Sequence, residues 1–118
     1  MLNFDFTSKR ILVVGGSRGI GRGVVENFIS LGAKVFYAAR NSIVEEVDAQ
    51  FIKVDLNYES QIKDLFVEID KSGKIDVLVN TAAINYCNKF NEISIEEWDR
   101  VDRVNLRAAF ILCKHAAL

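Results

Sequence analysis

A chain of 118 residues, 50% hydrophobic and 26% charged, has the length and balance of one soluble domain with a core of its own. Lys and Arg (15) nearly cancel Asp and Glu (16), and the net charge of −1 argues against a nucleic-acid partner. No apolar run has the length of a membrane span, Met1–Phe6 lacks the regions of a signal peptide, and Cys87 and Cys113 with one histidine support neither a zinc site nor a disulfide framework.

A cytoplasmic protein with reduced thiols, no metal and no membrane partner is therefore expected. Residues 3–9 form a polar lead-in, and Arg10–Val14 reads as a buried strand. Glycines follow at once, at 15, 16, 19 and 21. Ile20, Val24, Val25, Phe28 and Leu31 then recur at helical spacing, with Gly32 as the C-terminal cap. Lys34–Ala39 is a β-rich strand, so strand, glycine turn, helix and strand make a βαβ unit. Ile43, Val44 and Val47 predict a turn or two of helix. Gln50–Asp55 is a third strand, and Asn57, or else Ser60, is the N-cap of an amphipathic helix that runs to Lys71. Lys74–Asn80 suits a central parallel strand. A polar loop from Thr81 to Glu92 leads to Ser94 and Glu97, a capping box. Trp98, Val101, Val104, Ala108, Ile111 and Leu112 continue a helical pattern, as two helices with a bend near Asp102–Asn105. Residues 1–118 read as a single domain. Its fold class is α/β, a Rossmann-like doubly wound parallel sheet of about four strands.

The stretch that organises this pattern is Ile11–Gly21. A helix N-terminus offers unpaired N–H groups and a partial positive charge, which attract phosphate. Glycines let the backbone turn and approach a pyrophosphate with no Cβ in the way. The spacing is G-x-x-x-G-x-G, with no lysine after the last glycine, so a P-loop is a poor reading.

This spacing resembles the short-chain dehydrogenase/reductase family, and four further sites match in order. The resemblance implies a strand order of 3-2-1-4, then 5-6-7 in a full-length member, and a cofactor cradle of Gly15, Ser17, Arg18, Gly19, Ile20 and Gly21. Arg40 ends the second strand where an acid would take a ribose 2′-hydroxyl and a base accommodates a 2′-phosphate. With Arg18 in the glycine loop, NADP(H) is favoured over NAD(H). The resemblance also implies that Asp55, with the Leu56 backbone beside it, faces the adenine amino group. Asn80-Thr81-Ala82-Ala83 resembles the family's Asn-Asn-Ala-Gly, with Ala82 giving room for a ribose and Asn80 tying neighbouring strands. Two positions depart from the pattern: Ala83 stands for Gly and still leaves room, and Thr81 stands for Asn and is expected to bond locally; Val14 stands where the family commonly has Thr. Asn105 is unfavourable inside a helix by propensity, which suggests a reason for it; the resemblance implies that it bends that helix and holds a water of the proton relay.

The family's hydride transfer also uses a serine and a Tyr-x-x-x-Lys. Four residues after Tyr37, Tyr58 and Tyr86 stand Asn41, Ile62 and Phe90, so the motif is absent. The chain thus resembles the first half of a member, truncated after the helices that follow strand four. The expectation is an NADP(H)-binding half without turnover. The alternative is a non-catalytic nucleotide-binding or self-associating module, because an apolar strand four left at a sheet edge invites pairing.

Overall fold

The computed structural model describes residues 3–118. Four strands, β1 (Arg10–Val14), β2 (Lys34–Ala39), β3 (Gln50–Lys53) and β4 (Val77–Asn80), form one sheet in the order β3-β2-β1-β4. Every pairing is parallel, with Leu12 opposite Phe36 on one side and Leu78 on the other. The helices are α1 (Gly19–Ser30), α2 (Glu59–Asp70), α3 (Ile95–Asp102) and α4 (Ala108–Ala116). No helix among the described residues is long and apolar enough to cross a membrane.

Alternation along the strands divides the core in two. Ile11, Val13, Val35 and Tyr37 face α1, packing with Val25 and Phe28. Leu12, Val14, Phe36 and Ala38 face the other way, against Ile62, Leu65, Phe66 and Ile69 of α2 and Ala108, Ile111 and Leu112 of α4. The sheet is therefore doubly wound, with its core on both faces of β1 and β2.

Local chemistry explains most boundaries. Gly32, at φ +84°, ends α1: its N–H donates to Ile29 and the Ala33 N–H to Phe28, a Schellman closure. At α3 the capping box forms as read, with Ser94 Oγ accepting from the Glu97 N–H at 3.1 Å and the Glu97 carboxylate from the Ser94 N–H at 3.0 Å.

Four expectations need correction. Residues 41–49 form no helix: Ile43 is buried and donates its N–H to Tyr37 Oη at 3.2 Å, while Val44 is 97% exposed. Neither Asn57 nor Ser60 caps α2; Tyr58 holds that position without a side-chain cap, because Arg103 Nε takes Asn57 Oδ1 at 2.6 Å. β4 begins at Val77, not Lys74, because residues 72–74 turn around Arg10, whose guanidinium donates to Lys74 O, Gly73 O and Ser72 Oγ. The bend near Asp102–Asn105 is a π-helical turn, Arg103–Arg107, with α3 and α4 continuous through it and Trp98 turned outward at 66% exposure.

Candidate functional site

The strands all point their carboxyl ends the same way, and β1 and β4 leave the sheet at the point where strand order reverses. In open α/β sheets, ligands occupy the crevice at such a point. A cavity of about 820 Å³ lies there. Its walls come from Val14 at the end of β1, Ala38 and Ala39 of β2, the segment after β3 (Val54–Leu56), the turn after β4 (Thr81–Ile84) and the start of α1.

The glycine turn is held by close contact. A Cβ on Gly21 would lie 2.0 Å from the Gly15 carbonyl oxygen and 2.5 Å from Thr81 Oγ1. At Gly15, φ +84°, an added Cβ would lie 2.8 Å from the Ala82 backbone N. Gly19, at φ +57°, has nothing within 4 Å of its missing Cβ. The turn is therefore packed against the sheet at residues 15 and 21 and open toward the cavity at residue 19. Thr81 does not bond locally as expected: its hydroxyl reaches across to the end of β1, donating to Val14 O at 3.0 Å and Gly15 O at 3.3 Å. Val14, 1% exposed, is core.

Electrostatics at the mouth favour an anion. α1 starts at Gly19 with no side-chain cap and no acidic residue in its first turn, unlike the sealed start of α3. Its first N–H groups are thus available to a ligand. Arg18 and Arg40 are exposed, line the cavity, and among the described residues have no side-chain hydrogen bond or ion pair. Arg22, by contrast, is committed: it meets Glu26 and Glu45, each at 3.0 Å. The Glu26 hydrogen bond first, and the Glu45 charge second, raise its pKa above the ordinary guanidinium value. The Arg22–Glu45 pair also ties residues 41–49 to α1 as one rim of the cavity.

The family model for short chain dehydrogenase matches residues 9–118. The chain belongs to this family. It is 32% identical over 123 residues to 3-oxoacyl-[acyl-carrier-protein] reductase FabG of Chlamydia pneumoniae, covering 95% of this chain and 50% of the relative. Among solved structures, it is similar to a short chain dehydrogenase of Leptospira borgpetersenii with bound NAD+, with a TM-score of 0.89, 28% identity, and coverage of 95% of this chain and 46% of that one. It is also similar to Pseudomonas aeruginosa RhlG in an NADP active-site complex, with a TM-score of 0.87, 26% identity, and coverage of 98% and 49%. The chain spans about half the length of the curated relatives it matches.

Within this family frame, the cavity gathers Gly15, Ser17, Arg18, Gly19, Ile20, Gly21, Arg40, Asp55, Leu56 and Ala82. Asp55 accepts the Asn57 N–H on Oδ1 at 2.9 Å, and Oδ2 has no partner among the described residues. Two residues singled out from the sequence stand outside the wall. Asn80 does not tie strands: its Oδ1 accepts the Ala82 N–H at 3.1 Å, which shapes the turn after β4. Asn105 clasps that same turn: Oδ1 accepts the Ile84 N–H and Nδ2 donates to Ile84 O, both at 2.8 Å. Sequence reasoning missed Glu45 and Arg100 as wall residues. The helical register of Arg100 with Val104 was the one available signal.

Proposed function

We propose that these residues form the NADP(H)-binding half of a short-chain oxidoreductase that interconverts a carbonyl and an alcohol. The observation that carries this reading is the uncapped start of α1 meeting two unpaired guanidinium groups, Arg18 and Arg40, in one cavity. The diphosphate lies over Gly15, Ser17, Gly19, Ile20 and Gly21 and takes the N–H groups of the first turn. Arg18 and Arg40 hold the 2′-phosphate by charge-assisted hydrogen bonds. The residue directly after β2 is Arg40 and not a carboxylate that would take a ribose 2′-hydroxyl, and Glu45 farther along is paired with Arg22, so NAD(H) is the weaker alternative. Asp55 accepts from the adenine amino group beside the Leu56 backbone, and Ala82 lets a ribose lie against the turn that Asn80 shapes. Asn105 combines its clasp on Ile84 with the relay-water role that the family resemblance assigns it. When bound, the dinucleotide supplies or accepts the hydride.

The 118 residues hold no Tyr-x-x-x-Lys, so the reading assigns them binding without turnover. The cysteines are free thiols, in keeping with a cytoplasmic setting. The test is a fluorescence titration of the purified chain with NADPH, followed by an aldehyde-reduction assay. Saturable binding and no turnover are expected. A flat titration would sink the binding assignment, and NADPH-dependent reduction would sink the second.

A specific observation also favours self-association of the isolated chain. β4 stands at the edge of the sheet, and Trp98, Leu106 and Phe110 are each about two-thirds exposed.

A further inference from the structure

Three arginines stand at spacings of three and four along one helical run: Arg100, Arg103 and Arg107. Two of them reach the start of α2. Arg103 Nε donates to Asn57 Oδ1 at 2.6 Å, and Arg107 Nη2 to the Glu59 carboxylate at 2.8 Å. Arg100 is different. It lines the cavity with Val104, and its Nε is buried with no hydrogen-bond partner. An N–H in that condition is costly until an acceptor arrives.

The neighbouring bonds locate this orphan donor. Asn57, which holds Arg103, also donates its N–H to Asp55 Oδ1 at 2.9 Å, so the helix that carries Arg100 is fastened to the Asp55 segment. Val54, Leu56 and Val104 complete that end of the cavity with apolar surface. No ion pair joins Arg100 to Asp55. Arg100 and Asp55 therefore line one cavity with these apolar residues, without pairing with each other. Adenine presents the complement on one edge, a ring-nitrogen acceptor at N7 beside the amino donor.

We propose that Arg100 is a specificity-determining residue that donates to the purine ring of the bound nucleotide while Asp55 takes the amino group. This inference rests on the dinucleotide reading above and extends it to a residue outside the glycine turn and both phosphate-facing arginines. It makes the site selective for a base that carries a ring-nitrogen acceptor beside an amino donor, and not only for a 2′-phosphate.

The test compares binding of adenosine 2′-monophosphate and uridine 2′-monophosphate, whose base has neither a ring-nitrogen acceptor nor an amino group, to wild type and Arg100→Lys, which keeps the charge and removes the Nε–H. Wild type should prefer the adenine compound. Arg100→Lys should bind it about tenfold more weakly, leave the uridine compound within about twofold, and melt no lower than wild type without ligand, since an unpartnered donor is removed. Equal losses for both compounds, or no loss for either, would overturn the assignment of Arg100. If wild type binds neither these compounds nor NADPH, the dinucleotide reading itself fails.

Discussion

At Gly21 the smallest side chain collides with backbone, and at Gly19 it meets open space. Gly21→Ala should therefore destabilise the chain by about 1–3 kcal/mol, the usual cost of overpacking, and abolish NADPH binding. Gly19→Ala should cost only the strain of its positive φ, about 1–2 kcal/mol. Urea denaturation and the NADPH titration separate the two. The glycines were legible because their spacing is a backbone requirement. Thr81 was legible as a bonding residue, but the expected local bond is a long-range one, because Val14 O and Gly15 O are distant in sequence. Arg100 was harder to see: an arginine in a polar helix looks solvent-facing until the cavity wall is in place.

Among the elements, α1, β1 and β2 were readable almost to the residue, since each takes its ends from its own composition and caps. The misread ends share one cause, a side chain recruited from far along the chain. Arg10 unwinds the expected start of β4, and Arg103 takes the oxygen that would have capped α2. Val44 and Val47 suggested a helix where Tyr37 Oη instead draws in the Ile43 N–H. Asn105 marked the middle of the last helical run as unusual, and the π turn is the result. Its side chain uses the widened turn to hold Ile84. Asn105→Ala removes both bonds and should cost about 1–2 kcal/mol, with faster amide exchange at Ile84. Ser94→Ala breaks the capping box and should cost about 1 kcal/mol, without touching ligand affinity. Thermal denaturation of both variants, with NADPH titrations alongside, checks this pair.

Across the whole molecule, the parallel order β3-β2-β1-β4 brings the crevice, the uncapped helix and the cationic rim to one end. Strand alternation made the two-faced core predictable, whereas the exposed row of Trp98, Leu106 and Phe110 was not separable from core by periodicity alone. With that row and the free edge of β4, the isolated chain should run larger than a monomer in light scattering at low concentration. A stable monomer in dilute solution would count against self-association.

The account stands or falls on whether the extra phosphate is felt. The decisive measurement titrates one preparation with NADPH and with NADH at low salt, then repeats both on Arg18→Ala/Arg40→Ala. NADPH should bind at least about tenfold more tightly to wild type, and the gap should close in the variant through loss of NADPH affinity alone. Equal affinities, or tighter binding of NADH, would contradict it.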